Sequence, residues 1–287
     1  MKKILLTGSS GQLGQSILKI GTNHNFDIIA TDLDSLDITD SKAIEQIFDA
    51  EKPDIVINAA AYTDVDKASQ EHELANLVNG KAPGLLAQAS KKHNALFIHI
   101  STDYVFDGEK TTPYSESDIA EPANFYGKSK LLGEQAVARS GAAAMIIRTA
   151  WLYSEFGHNF VKTMMKLAKQ GKALRVINDQ HGSPTYAGDL AEAVLFLAGN
   201  NFSSGVTIFH VTNSGTTTWH GLAEKTFEYA DIMADMTGVS TQEYASPTPR
   251  PMNSVLSNQR LQMLTGYTMP PWEEGLMRCI KAIENND

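Results

Sequence analysis

Cysteine is nearly absent from the sequence. Cys279 stands alone, which excludes an internal disulfide and a cysteine-based zinc site and fits a reducing compartment. Long apolar runs are missing too. Met1 to Gly8 holds only Ile4, Leu5 and Leu6 between its lysines and Thr7, far short of a signal-peptide core, and no later stretch approaches a membrane span. The expectation is a soluble, cytoplasmic protein with no membrane partner. Basic residues are in deficit, 24 Lys and Arg against 33 Asp and Glu for a net charge of −9, which excludes a general nucleic-acid binder. The eight histidines show no His-x-x-x-His or His-Glu-x-x-His spacing, so no catalytic metal is expected.

What is present is an ordinary globular composition, 42% apolar and 20% charged, over 287 residues. That length suits one large α/β domain or a domain with a smaller lobe. Lys3 to Thr7 reads as a buried strand, followed at once by Gly8-Ser9-Ser10-Gly11-Gln12-Leu13-Gly14 and an apolar-periodic helix. Strand, glycine turn and helix are the context a dinucleotide-binding turn needs. Gly8 makes the turn, Gly11 lets backbone N–H groups approach a pyrophosphate, and Gly14 allows close helix–strand packing. The spacing is Gly-x-x-Gly-x-x-Gly, one residue longer than the standard fingerprint.

A second strand, Asp27 to Thr31, ends at Asp32, eighteen residues beyond Gly14. An acid at this distance bonds the ribose 2′-hydroxyl of NAD and repels a 2′-phosphate. No arginine lies between residues 31 and 40, which leans towards NADH over NADPH. Asp34 and Asp37 follow, either as a solvated acidic loop or, through Asp37-Ile38, as a contact to the adenine. Pro53 to Asn58 reads as a third strand running into Ala59-Ala60-Ala61, and Ala95 to Ser101 as a fourth after helical patterns over 66–92. Further strands are expected at 143–148, 174–177 and 206–211, and helices at 190–198, from 217, at 258–265 and at 272–284. Strands alternating with helices argue a doubly wound parallel sheet of Rossmann type, with ligands outside the strand C-termini. His99, inside the fourth strand, reads as a satisfied core or cofactor-facing histidine.

Tyr126 and Lys130 are four apart, one turn of helix, so they share a face. A phenol titrates near ~10 unperturbed, and a neighbouring ammonium is expected to pull it towards the working range. Thr102, at the end of the fourth strand, offers a hydroxyl to the same substrate oxygen. One group to move a proton, one to tune it and one to orient make a site for carbonyl–alcohol chemistry. Near the C-terminus the texture changes to the proline-rich stretch 246–256, where Arg250, Asn253 and Ser254 suit a phosphate.

The glycine turn, Asn58-Ala59-Ala60-Ala61, Ser101-Thr102-Asp103-Tyr104-Val105-Phe106 and Tyr126-x-x-x-Lys130 together resemble the extended short-chain dehydrogenase/reductases, and within them the dTDP-4-dehydrorhamnose reductase family. The resemblance implies Thr102, Tyr126 and Lys130 as the catalytic set. It implies Gly8, Gly11, Gln12, Leu13, Asp32, Asp37, Ala59, Ala60 and Ala61 around the cofactor, with Tyr126 and Lys130 touching it as well. Thr63, Val65, Asp103, Tyr104 and Trp151 would surround a deoxysugar, and Arg250, Asn253 and Ser254 its nucleotide diphosphate. The implied reaction is reduction of the C4 ketone of a dTDP-4-dehydro sugar by NADH or NADPH. The implied architecture is a nucleotide-binding unit of 1–150 and about 172–212, with a smaller discontinuous α/β lobe of about 151–171 and 213–287.

Related sugar-nucleotide dehydratases carry Asp-Glu after the threonine, whereas this chain has Asp103-Tyr104 and lacks that acid–base pair. Some family members dimerise through magnesium held by glutamates. Here Gln15-Ser16 and Ala187-Gly188-Asp189 stand at those places, so no metal is carried over and a monomer or weak homodimer is expected. Two other readings stay open: a non-catalytic NADP-binding regulatory subunit, like that of methionine adenosyltransferase, and a reductase or epimerase of another nucleotide-linked 4-keto sugar.

Overall fold

Short apolar runs and the helices between them set the architecture. The computed structural model describes residues 1–200 and 205–285. In chain order its first half holds β1 (Lys2–Thr7), α1 (Gln12–Gly21), β2 (Phe26–Thr31), α2 (Ser41–Glu51), β3 (Ile55–Asn58), α3 (Val65–Ala68), α4 (His72–Ala75), a π-helical turn (Asn76–Lys81), α5 (Ala82–Lys92), β4 (Leu96–Thr102), α6 (Phe125–Ser140) and β5 (Ala144–Thr149). There follow β6 (Leu152–Tyr153), α7 (Phe160–Lys169), β7 (Leu174–Ile177), β8 (His181–Gly182), β9 (Thr185–Tyr186), α8 (Ala187–Gly199) and β10 (Val206–His210). The chain closes with β11 (Thr217–Thr218), α9 (Trp219–Tyr229), β12 (Met236–Val239), α10 (Thr241–Tyr244), α11 (Gln259–Thr265) and α12 (Trp272–Glu284).

Six strands form one sheet in the order β10-β5-β4-β3-β1-β2, every pairing parallel. A parallel sheet is covered on both faces, which is why its central strands are apolar throughout rather than alternating with polar residues. Ile4, Leu6, Ile57, Ile98 and Ile147 point to α1 and α8, where Leu13, Ile17, Leu190 and Val194 complete the layer. Leu5, Val56, Phe97 and Ile146 point the other way, onto Ile44 and Phe48 of α2, Leu86 of α5 and Val137 of α6. From β1 the chain steps to β2 on one side and then to β3 on the other. The crevice of such a sheet opens where that order reverses, outside the C-terminal ends of β1 and β3.

The second unit is built from small strand pairs, β6 with β9, β7 with β12 and β8 with β11. Helices α7, α9 and α12 pack there around Tyr153, Val161, Leu222, Trp272, Leu276 and the free, buried Cys279. Two expectations change. The β7 run 174–177, expected in the nucleotide-binding unit, pairs with β12, because Leu174 and Val176 pack against Ala168, Ala223 and Phe227 of the lobe. The chain returns to the main sheet only with α8 and β10. The sequence reading also assigned nothing between Asp37 and Pro53, where α2 forms. Asp40 caps it by accepting from the Lys42 N–H at 2.8 Å, and Ile44 and Phe48 share its buried face. Residues 201–204 and 286–287, inside the expected domain spans, lie outside the described residues. Among the described residues no helix is long and apolar enough to cross a membrane.

Candidate active site

The glycine turn leaves no room for a Cβ at Gly8 or Gly14. Gly8 has φ +69°, and a Cβ there would lie 2.6 Å from the Ala60 backbone nitrogen; one on Gly14 would lie 2.2 Å from the Gly8 carbonyl oxygen. Gly11 stands at the N-cap of α1 with no side-chain cap, and the first turn carries no acid. An uncapped helix N-terminus at a sheet switch point is a cradle for an anion, so these residues fit a pyrophosphate. Asp32, at the end of β2, accepts from the Ser10 N–H at 2.8 Å and the Ser10 hydroxyl at 2.5 Å through Oδ2, and from the Leu33 N–H at 2.8 Å through Oδ1. The Ser10 hydrogen bonds hold its carboxyl below the usual carboxylate range despite some desolvation. Asp37 turns back on its own loop, its Oδ1 accepting from the N–H and hydroxyl of Thr39 at 2.8 and 2.7 Å. His99 is buried, and desolvation holds it neutral. Its Nδ1 lies 3.1 Å from Nδ2 of Asn58, whose Oδ1 accepts from the Thr7 hydroxyl at 2.7 Å.

Thr102 is the last residue of β4, and α6 is laid directly against the turn that follows. Asn124 caps α6, accepting from the Gly127 N–H at 2.9 Å, and a Cβ on Gly127 would lie 2.0 Å from the Tyr104 carbonyl oxygen. That close approach puts Tyr126 beside Thr102. The Thr102 hydroxyl donates to Asp103 at 3.0 Å and accepts from the Tyr104 N–H at 3.2 Å. The Tyr126 ring meets Tyr104 edge to face at 5.6 Å. Lys130 is buried, and its Nζ donates to the Ile100 carbonyl at 2.7 Å.

The protonation pattern departs from the sequence expectation. Burial pushes the Tyr126 phenol up to about 12; hydrogen bonding with Thr102 pulls it back in part and the Asp103 charge adds to the rise. What pulls it down is the Thr102 hydroxyl, while the Lys130 Nζ is hydrogen-bonded to the Ile100 carbonyl. Burial in turn brings Lys130 down to about 8, against the opposing charge of Glu134. Asp103 is buried and pushed up to about 6, with hydrogen bonds from Ser254 and Thr102 working against the desolvation. At neutral pH the pocket therefore presents a phenol that keeps its proton.

Of the residues expected around the sugar nucleotide, Trp151 holds a left-handed backbone at φ +47° and stacks on Trp219 at 3.7 Å, the ring planes 9° apart. Such a conformation is unfavourable for a bulky residue by about 1–3 kcal/mol and persists only where its surroundings fix it. A Cβ on Gly182 would lie 2.3 Å from the Trp151 indole. Thr63 is exposed and Val65 partly buried, at the start of α3. Arg250 reaches Asp66 at 3.4 Å. Asn253 donates through Nδ2 to the Lys110 carbonyl at 2.6 Å and accepts from the Val255 N–H at 3.2 Å, so its side chain fastens the loop. Ser254 is buried, with its N–H on the His181 carbonyl at 2.8 Å and its hydroxyl against Asp103.

With this geometry in place, comparison with known proteins is direct. The family model described as the RmlD substrate binding domain matches residues 1–285. The chain belongs to the RmlD family. Within it, the chain is 39% identical to a dTDP-4-dehydrorhamnose reductase of Burkholderia thailandensis, covering 98% of this chain and 99% of the relative. It is 41% identical to the spore coat polysaccharide biosynthesis protein SpsK of Bacillus subtilis, covering 98% of both chains. The crystal structure of a Bacillus anthracis dTDP-4-dehydrorhamnose reductase in complex with NADP superposes with a TM-score of 0.94 at 38% identity, covering 98% of this chain and 100% of that one.

This RmlD-family site uses residues that sequence reasoning passed over. Asn79, in the π-helical turn, accepts from the Tyr62 N–H at 2.8 Å and donates to the Tyr62 carbonyl at 2.9 Å and the Ser129 hydroxyl at 3.0 Å. Ser129 in turn donates to the Tyr126 carbonyl at 2.8 Å, so one amide ties the loop after Ala61 to the turn carrying Tyr126. Glu134 lies four residues beyond Lys130 and accepts from Ser101 at 2.5 Å and from Arg148 at 2.9 and 2.6 Å. The spacing of Tyr126, Lys130 and Glu134 was a usable signal, a carboxylate on the same helix face. Nothing in the sequence announces the π turn.

Proposed function

We propose that the protein catalyses the NAD(P)H-dependent reduction of the C4 ketone of dTDP-4-dehydro-L-rhamnose to dTDP-L-rhamnose. The observation that carries this reading is the placement of Tyr126 beside Thr102, at the strand ends that frame an uncapped glycine cradle. Thr102 and Tyr126 would both bond the ketone oxygen and polarise the carbonyl. When bound, the nicotinamide supplies a hydride to C4. As the C=O π pair moves onto oxygen, Tyr126 gives its O–H proton to that oxygen and is left as a phenolate, which Thr102 stabilises until solvent returns the proton. Lys130, together with Gly11, Gln12, Leu13 and the Ala59–Ala61 turn, would hold the cofactor. Tyr104, Trp151 and Arg250 would hold the sugar nucleotide. Asp103-Tyr104 supplies no glutamate base for elimination, which favours reduction over dehydration.

For the cofactor we read a preference for NADH. Supporting it, the Ser10 hydrogen bonds hold the Asp32 carboxyl below the usual carboxylate range, no Lys or Arg falls between residues 31 and 40, and an acid after the second strand would meet the ribose 2′-hydroxyl. Asp32→Ala should then raise the kcat/KM ratio of NADPH over NADH, and an unchanged ratio would remove the argument. Gln15-Ser16 in place of glutamates supports a monomer or weak homodimer, and a lone buried Cys279 suits the cytoplasm. The deciding assay follows nicotinamide oxidation with dTDP-4-dehydro-L-rhamnose made in situ by the upstream dehydratase and epimerase. Oxidation with dTDP-L-rhamnose recovered is the expected result. Cofactor binding without oxidation would overturn the proposal.

A further inference from the structure

The α1 helix presents two side chains seven residues apart, and so on one face, to a single segment of the lobe. At its first turn, the Gln12 Oε1 accepts from Asn159 Nδ2 at 3.1 Å and shares the Ser154 hydroxyl proton, 3.2 Å away, with the Phe156 carbonyl at 2.9 Å. Two turns on, Lys19 pairs with Glu155 at 2.7 Å and lies 5.7 Å from the centre of the Phe156 ring. The segment is fixed from the lobe side as well. Asn159 Nδ2 also donates to the Ser154 carbonyl at 2.7 Å, and its Oδ1 caps α7 by accepting from the Lys162 N–H at 3.1 Å. Tyr186 donates to the second Glu155 oxygen at 3.1 Å. Ser154, Glu155 and Asn159 are all buried.

This strap starts three residues after Trp151, the strained indole of the sugar site, with only the two-residue β6 between them. Its other end sits on the helix turn whose N–H groups form the anion cradle. Ordering that turn around a pyrophosphate fixes Gln12, Gln12 fixes Ser154 and Asn159, and these fix the strand that delivers Trp151. We infer that Asn159 is a positioning residue, with Gln12 and Ser154 its partners, that couples the cofactor site to the sugar-nucleotide site, so that each ligand tightens the other. The coupling must be reciprocal, since both ligands favour one arrangement of the same strap.

The inference rests on the proposed pairing of a nicotinamide dinucleotide with a dTDP-sugar, and the test separates the two. Calorimetric titration of the full chain with dTDP is run with and without saturating NADP⁺, alongside tryptophan emission on adding NADP⁺ alone. The wild type should bind dTDP at least about fivefold more tightly with NADP⁺ present, the low end of typical coupling, and NADP⁺ alone should alter the emission. Asn159→Asp keeps the oxygen that caps α7 and removes the donor to Gln12. It should bring the ratio of the two dTDP constants close to one and suppress the emission change, with NADP⁺ saturating wherever it is present so that any change in cofactor affinity does not enter the ratio. If Asn159→Asp does not fold, Ser154→Ala, which removes the other donor to Gln12, is judged by the same criterion. Wild-type coupling in the variant overturns the inference. So does a wild type in which both ligands bind independently. If NADP⁺ does not bind, NAD⁺ takes its place throughout; a wild type that binds neither dTDP nor either nicotinamide dinucleotide overturns the functional reading along with the inference.

Discussion

A phenol keeps its proton at neutral pH even in water, and burial pushes that of Tyr126 further up, to about 12; a proton is what a ketone reduction consumes. Tyr126→Phe should therefore lower kcat by about 10²–10⁴-fold, the usual worth of a positioned acid, while NADP⁺ binding measured by calorimetry stays nearly intact. Retained turnover would require another proton donor. Lys130 should set an alkaline limit to the proposed activity. With its folded pKa brought down to about 8, it loses its charge above that pH, and kcat/KM should fall there if the ammonium holds the cofactor. Glu134 opposes that depression, so Glu134→Gln should move the alkaline limb to lower pH; a limb that does not move would disconnect the two residues. The linked stability runs the opposite way. Between about 8 and the ordinary 10.5 the unfolded chain binds more protons at this site, so the burial of Lys130 becomes less unfavourable as pH rises through that window.

At the scale of elements, the glycine turn and α6 do most to place the chemistry, and they were legible to different degrees. Gly8, Gly11 and Gly14 could be assigned their roles from order alone, because a strand followed at once by spaced glycines leaves few other structures. Gly14→Ala tests that assignment: its Cβ would sit 2.2 Å from a backbone oxygen that cannot move without opening the turn, so NADP⁺ affinity should fall by at least ~10-fold, about 1.4 kcal/mol. Calorimetry of the folded variant reads it directly. The Tyr126–Lys130 pair was legible as a helix face, but its electrostatics were not. The sequence places an ammonium one turn from a phenol, yet it does not show that Ile100 captures the ammonium or how far both groups are desolvated. The partner of β7 was hidden for a similar reason. Four apolar residues form a buried strand in either unit, and only packing on α9 decides which. The contact of Asn253 Nδ2 with the Lys110 carbonyl was likewise out of reach of the sequence, because it joins residues 143 apart.

Across the whole molecule the two units share their residues through repeated crossings of the chain. The sheet is left after β5, the lobe is begun, and α8 and β10 then return to finish the sheet before the lobe is completed. Removal of the α8–β10 return leaves Ile4, Leu6, Ile57 and Ile98 without much of the layer that covers them. A fragment ending at residue 150 should accordingly be poorly soluble and bind a hydrophobic dye, whereas a chain reaching residue 211 should bury that face. Equal solubility of the two would mean that α1 alone suffices as cover.

That returning helix and strand also bear on how the protein is made. A ribosome delivers β1 to β5 well before α8 emerges, and the lobe's first pieces come out in between. The nucleotide-binding half therefore spends part of its synthesis with one sheet face open, a interval in which a chaperone has a defined surface to hold. Release should come when α8 closes over α1, so the timing of maturation is written into the order of the chain rather than into its fastest-folding part.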